Sequence, residues 1–163
     1  GFGMTGKRRY KRPESVLVVV YTRDGKVLLL RRADHPEFWQ SITGSMEWDD
    51  ASPVATAARE LREETGIDVP PGHLRDWQIT RRYELFPQWR HKYAPGVREN
   101  TEHFFSLELP AETAIRVSPG EHSEYRWVGF AEAAEQVFSW TNRDALQRLM
   151  QTRTAPPAPA DSV

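Results

Sequence analysis

The feature that most constrains this chain is a short acidic run closed by glycine, Arg59-Glu60-Leu61-Arg62-Glu63-Glu64-Thr65-Gly66-Ile67. The helical period of 3.6 residues places Glu60, Glu63 and Glu64 on one face of a predicted helix. Gly66 stands where helices commonly end in a left-handed residue. Like charges at these spacings repel each other, and the helix macrodipole disfavours carboxylates in the last turn. The run is therefore unfavourable for a helix alone, which indicates that a multiply charged cation binds against this face.

A solvated acidic surface is the simpler interpretation of a bare Glu-x-x-Glu-Glu pattern. The flanking sequence favours a metal site instead, because an acidic loop over 47–50 and a Ser52-Pro53 helix start come directly before the run. Oxygen ligands suit Mg²⁺, which is the expected ion, with Mn²⁺ as an alternative.

The composition indicates a single globular domain without nucleic-acid or membrane partners. The chain has 163 residues, of which 39% are apolar and 28% are charged, and its formal net charge is −1. It has no excess of positive charge for nucleic acid, and no apolar run approaches the roughly 18 residues that a membrane span needs. With no Cys, the chain has no disulfides or thiolate ligands. A cytoplasmic location is expected.

The two ends of the chain differ in composition from its middle. Residues 1–9 are expected to be flexible, with Gly1-Phe2-Gly3 as a cloning remnant, and the Pro- and Ala-rich residues 153–163 are expected to be disordered. Residues 10–152 are the predicted domain. Its pattern of strands, a helix, more strands and two helices predicts an α/β (α+β) fold, a mixed β-sheet sandwiched between helices. The last helix is predicted from Arg143, capped by Thr141-Asn142.

The segment from Gly44 to Ile67 resembles the signature of the Nudix hydrolases, Gly-x5-Glu-x7-Arg-Glu-U-x-Glu-Glu-x-Gly-U, in which U is aliphatic. The second half of the signature matches from Arg59 onward. In the first half, Asp50 stands in place of the Glu, and Arg59 comes one residue late. Either Asp50 fills that position and one residue is inserted, or Ala51 occupies it in strict helical register; the first alternative is favoured. The resemblance implies the Nudix fold and a hydrolase of phosphoanhydride bonds.

Five segments outside the signature, 10–13, 38–45, 91–97, 100–102 and 139–143, are similar to one bacterial branch of this family. That branch converts dihydroneopterin triphosphate to the monophosphate and pyrophosphate in folate biosynthesis. The resemblance thus implies a small-molecule triphosphate substrate. Two alternatives stay open: a broader (deoxy)nucleoside triphosphate pyrophosphohydrolase, and a catalytically weak Nudix-like ligand-binding module. The sequence makes no prediction of the oligomeric state.

Four carboxylates are the candidate metal ligands. Glu60 and Glu64 lie one helical turn apart and are the favoured direct ligands, with Glu63 completing the cluster. By resemblance, Glu121 supplies a further ligand from a later loop; a solvated loop residue is the alternative. Arg59 is expected to orient the carboxylates by charge-assisted hydrogen bonds. The general base is left open among Glu63, Glu60 and Glu121.

The resemblance also implies substrate contacts outside the acidic helix. Cationic and polar groups are expected to hold the phosphates, and aromatic side chains are expected to hold the flat pterin ring. The implied residues are Lys11, Arg32, Thr43, Tyr83, Glu84, Leu85, Phe86 and Ser139, with Trp39, Trp89 and Trp140 as further aromatic candidates.

Overall fold

A computed structural model describes residues 9–154 of the chain. The predicted flexible segment at 1–8 and the predicted tail from 155 onward lie outside the described residues. The last helix runs to Thr154, two residues past the domain boundary predicted at 152.

A seven-stranded mixed sheet forms the centre of the described chain. Its main path is β3-β2-β1-β6-β5, with β4 paired to β1 and β7 paired to β2. The β1–β6 pair is parallel, and the other pairs are antiparallel. The strands are β1 (Glu14–Thr22), β2 (Lys26–Arg32), β3 (Trp39–Gln40), β4 (Ile42–Ser45), β5 (Arg75–Glu84), β6 (Glu99–Leu109) and β7 (His122–Gly129).

Strand β1 lies in the middle of the sheet, and its apolar residues 16–21 are all buried. This agrees with its unbroken β-branched sequence, which is typical of a strand covered on both faces. The turn at Asp24-Gly25 does return the chain into β2, but β1 and β2 share only the Tyr21–Val27 pair. Strand β2 pairs along most of its length with β7 instead.

Helices cover both faces of the sheet, as predicted. On one face, Ala57 and Leu61 of α1 (Pro53–Thr65) pack in a cluster with Val18 and Phe105. On the other face, α2 (Phe130–Gln136) and α3 (Trp140–Thr154) bury a second cluster that includes Leu146. No helix in the described residues is long and apolar enough to cross a membrane.

The ends of α1 follow the sequence prediction. The Ser52 hydroxyl accepts a hydrogen bond from the Ala55 N–H at 3.2 Å, and Pro53 begins the helix. Gly66 ends it with φ 81°, a left-handed conformation that glycine adopts without steric cost.

The predicted start of α3 was wrong. The helix begins at Trp140, because the Ser139 hydroxyl caps it by accepting the Asn142 N–H at 3.1 Å. The Asn142 side chain is used elsewhere: its Oδ1 accepts the Ser41 N–H at 2.8 Å, and its Nδ2 donates to the Ser41 hydroxyl at 3.0 Å. These bonds fix the start of α3 against the link between β3 and β4.

Candidate active site

A cavity of ≈ 730 Å³ lies among α1, β4, β5, β6 and the start of α3. Acidic side chains line one part of it, and basic, aromatic and polar side chains line the rest. The predicted site residues in its wall are Glu60, Glu63, Glu121, Lys11, Arg32, Thr43, Tyr83, Glu84, Phe86 and Ser139.

The acidic part depends on a close approach between α1 and β4. A Cβ atom on Gly44 would lie 2.2 Å from Cδ and 2.5 Å from Oε1 of Glu60. Only glycine leaves room for the Glu60 carboxylate at this point of β4. Burial raises the pKa of Glu60 above its ordinary value.

Glu64 lies next to Glu60 and is 1% exposed. Both of its carboxylate oxygens are buried without a hydrogen-bond partner among the described groups. Burial first, then the adjacent carboxyl group of Glu60, and then the charge of Glu121 raise the pKa of Glu64 well above its ordinary value. An unpartnered buried carboxylate is costly unless a cation compensates it. The Glu64 side chain therefore supplies the free oxygen ligands that a hard divalent cation requires.

Arg59 connects the two halves of the acidic segment. Its guanidinium donates to Asp50 Oδ1 at 2.8 Å and to Glu60 Oε2 at 3.2 Å, and its Nε lies 3.9 Å from Glu63 Oε2. Asp50 Oδ2 also accepts from the Thr56 hydroxyl at 2.7 Å. Although burial alone would raise the pKa of Asp50, these hydrogen bonds hold it below its ordinary value.

These contacts bear on the altered first half of the signature. The Asp50 carboxylate is built into the helix start, whereas Ala51 is exposed and offers no polar side chain. The geometry thus favours Asp50 as the position of the first acidic residue, with Ala51 as the insertion. Neither residue lines the main cavity, nor does Arg59.

Glu63 and Glu121 are exposed at the cavity wall. No three acidic or histidine side chains in the described part of the chain lie close enough together to hold a metal ion among them. Mg²⁺ can bind through one or two carboxylates, with waters and substrate phosphates as its other ligands. The buried oxygens of Glu64, with Glu60 beside them, fit such an ion.

Basic side chains line the same cavity as this acidic group. Lys11, Arg32 and Lys92 all contribute to the wall. Desolvation and then the charges of Lys92 and Arg32 lower the pKa of Lys11. Arg32 also pairs with Asp34 at 2.8 Å and lies 5.0 Å from the Trp89 ring centroid. Because neighbouring cations lower the pKa of Lys11, this part of the wall has a positive electrostatic potential, which favours binding of a polyphosphate.

Aromatic rings form another part of the wall. Phe86 and Trp89 stack with centroids 5.1 Å apart, and Phe138 lies edge-on to Phe86 at 6.2 Å. Two sequence expectations are corrected here. The Leu85 side chain is buried away from the cavity, and Trp39 packs on the core under Arg126, 3.9 Å from its ring centroid.

The sequence predicted no specific role for several polar residues in this wall. His122 lies behind Glu64, with its Nδ1 4.0 Å from Glu64 Oε1 and its Nε2 3.1 Å from Gln40 Nε2. Burial, with the charge of Arg32, lowers the pKa of His122 to about 4, so the ring is neutral at pH 7. Asn100 and Glu102 are buried on β6. The first five residues of β6 are all polar, so the pattern of the strand does not distinguish these two, and the resemblance of segment 100–102 to the family branch was the available signal.

The fold and this acidic site define a class of protein. The profile of the NUDIX domain matches residues 11–149, and the chain belongs to the Nudix family. It is therefore an enzyme that acts on phosphoanhydride bonds of a small phosphorylated molecule, in a family that generally uses divalent metal ions.

Particular relatives are similar over nearly the whole chain. The dihydroneopterin triphosphate diphosphatase of Escherichia coli K12 is 47% identical over 144 residues, which cover 86% of this chain and 94% of that protein. The enzyme of the same name from Haemophilus influenzae is 40% identical, covering 87% and 90%. The solved structure of the E. coli dihydroneopterin triphosphate pyrophosphohydrolase superposes with a TM-score of 0.81 at 44% identity, covering 89% of this chain and 99% of that one.

Proposed function

We propose that this enzyme hydrolyses dihydroneopterin triphosphate to dihydroneopterin monophosphate and pyrophosphate, with Mg²⁺ as its metal ion. Water is added across the anhydride bond between the α and β phosphorus atoms. The carrying observation is the buried carboxylate of Glu64 beside the partly exposed carboxylate of Glu60, which lines a cavity that also holds cations and stacked aromatic rings. The similarity to enzymes named for this substrate supports the choice of triphosphate.

The carboxylates on α1 form the proposed metal site. Glu60 and Glu64 would be the inner ligands, joined by Glu63 and Glu121 from the exposed wall. A bound Mg²⁺ would offset the charge of the triphosphate and orient the attacking water. Arg59 holds Glu60 in place through its 3.2 Å hydrogen bond. The carboxylates of Glu60, Glu63 and Glu121 face the cavity, where they are positioned to accept the proton of the water.

The remaining wall would bind the rest of the substrate. Lys11 and Arg32 provide positive charge for phosphate oxygens, and the hydroxyls of Thr43 and Ser139 provide hydrogen bonds. The pterin ring would lie against the aromatic surface that includes Phe86. A mostly flat apolar slot with a few polar groups is the usual form of such sites.

The test is a substrate panel with the purified full chain. Pyrophosphate release is measured with dihydroneopterin triphosphate and with each nucleoside triphosphate, in Mg²⁺, in Mn²⁺ and in chelator. We expect dihydroneopterin triphosphate to have the highest kcat/KM, the monophosphate to be the second product, and chelator to abolish turnover.

Other outcomes would replace the proposal. Equal kcat/KM values across the panel would indicate the broader nucleoside triphosphate pyrophosphohydrolase. Release of a single phosphate would place the cleavage at another anhydride bond, and a higher kcat/KM with Mn²⁺ would reassign the metal.

A further inference from the structure

One carboxylate in the cavity wall has no part in the chemistry described so far. Glu102 of β6 is 7% exposed, and its side chain lines the cavity. The Thr141 hydroxyl at the start of α3 is the neighbouring group that favours its charged form. Among the described residues, Glu102 belongs to none of the ion pairs. It is a buried acidic group with acceptor capacity to spare.

This placement is costly for the free protein. Burial raises the pKa of Glu102 to about 7, while the Thr141 hydrogen bond opposes the shift. The Thr141 hydroxyl oxygen also lies 3.3 Å from the Ser139 hydroxyl oxygen, so Thr141 has an alternative hydrogen-bond partner. A buried carboxyl without a cationic partner is retained at lower cost when a ligand donates hydrogen bonds to it.

A second acceptor lies beside it on the same face of β6. Asn100 is 1% exposed, and its Nδ2 donates to the Ser15 hydroxyl at 2.7 Å and to the Tyr83 hydroxyl at 3.1 Å. Its Oδ1 is buried without a hydrogen-bond partner. Both residues line the cavity, so this region presents acceptors to whatever enters it.

The surrounding wall restricts the shape of the ligand. The stacked rings of Phe86 and Trp89, with Phe138, line the same cavity and favour a flat ring. A flat ring that satisfies a carboxylate carries adjacent N–H donors on one edge. A pterin has such an edge, in which the 2-amino group and the ring N3–H point the same way and match two carboxylate oxygens.

We propose that Glu102 is the residue that recognises the pterin ring, by accepting hydrogen bonds from its 2-amino group and N3–H. This inference rests on the proposed function. It assigns ring selection to β6, apart from the metal ligands on α1. Charge-assisted hydrogen bonds of this kind contribute about 1.5–3 kcal/mol each, equivalent to about 10- to 150-fold in affinity.

The test compares two substrates in two enzymes. One substrate is dihydroneopterin triphosphate, and the other is its 2-oxo analogue, in which an acceptor replaces the 2-amino donor. We expect the wild-type enzyme to prefer the 2-amino substrate by at least about tenfold in kcat/KM. Glu102→Gln should reduce that preference by at least about tenfold, mainly through KM, because its amide N–H donates to the 2-oxo group.

Glu99→Gln is the matched control, since it makes the same chemical change at an exposed position of β6 outside the cavity. It should keep the wild-type preference. Thermal unfolding of each variant separates a specificity change from misfolding.

Three results would overturn the inference. The first is equal hydrolysis of both substrates by the wild-type enzyme. This result would leave the proposed function intact, and the wild-type enzyme alone is enough to observe it. The second is an unchanged preference in Glu102→Gln, and the third is an equal loss for both substrates with reduced stability, which would make Glu102 structural. A wild-type enzyme inactive on dihydroneopterin triphosphate but active on another triphosphate would instead overturn the proposed function, and this inference with it.

Discussion

Gly44→Ala tests the close approach on which the acidic site depends. The new Cβ would lie 2.2 Å from Glu60 Cδ and 2.4 Å from Cγ, whereas carbon atoms in contact are about 3.5–4.0 Å apart. The Glu60 carboxylate must therefore move by about 1.3 Å or more. Because a misplacement of about 1 Å can reduce catalysis by about 100-fold, kcat/KM should fall by roughly that factor.

Stability should change much less than activity in Gly44→Ala. The atoms that must move belong to the end of a side chain that borders the cavity, so the strain stays near the low end of the roughly 1–3 kcal/mol typical of overpacking. The assay is pyrophosphate release over a Mg²⁺ titration, with thermal unfolding measured in parallel. The Mg²⁺ dependence should shift to higher concentration, because Glu60 is a proposed ligand.

Gly72→Ala is the control for this substitution. No atom lies within 4 Å of the added Cβ, and Gly72 has no positive φ. Its activity should match the wild type. If Gly44→Ala stays within about threefold of wild-type activity at unchanged stability, the close approach does not position Glu60, and the role of Gly44 in the signature needs another explanation.

Two further substitutions address the carboxylates of the segment. Glu64→Gln should lower Mg²⁺-dependent kcat at least about 100-fold. In metal-free buffer the same change should raise the unfolding temperature, and more at pH 8 than at pH 6. The sign follows from the raised pKa of Glu64: the folded wild type binds this proton more tightly than the unfolded chain, so it loses stability as the pH rises. Near-normal turnover would remove Glu64 from the metal site. Asp50→Ala should have a smaller effect on activity, about tenfold, because it acts through Arg59, and should reduce stability by about 1–3 kcal/mol by removing the carboxylate that accepts from both Thr56 and Arg59. The lowered pKa of Asp50 means that its stabilisation is present above the ordinary carboxyl pKa and is lost as the pH falls. An activity loss as large as that of Glu64→Gln would give Asp50 a direct role.

The arrangement of the carboxylates on α1 could be predicted from sequence because it depends on local information. The helical period alone brings Glu60 and Glu64 together, and Ser52 and Gly66 mark where the helix begins and ends. The layered fold followed from the order of strands and helices. The family resemblance then carried the prediction beyond the helix.

The part of the cavity around Glu102 and Asn100 depends on contacts between residues far apart in sequence. Glu102 meets Thr141, and Asn100 meets Ser15, only because β6 pairs in parallel with β1 and α3 packs over them. No local pattern encodes such a meeting. The misplaced cap of α3 has the same origin, because Asn142 is a strong capping residue whose side chain is taken by Ser41 from another element.

The acidic part of the cavity and the part around Glu102 are supported by different clusters of the hydrophobic core. The acidic end is held by α1, which packs in one core cluster, whereas α3 packs in the other cluster, on the opposite face of the sheet. Glu60 and Glu102 share no hydrogen-bond or ion-pair partner among the described residues. The fold-losses in kcat/KM from Gly44→Ala and Glu102→Gln should therefore multiply. The fold-loss of the double variant should equal their product to within roughly a factor of two, which corresponds to about 0.5 kcal/mol. A larger departure would mean that ring position and phosphate position are coupled through the substrate, so that Glu102 also sets the place where the triphosphate meets the carboxylates.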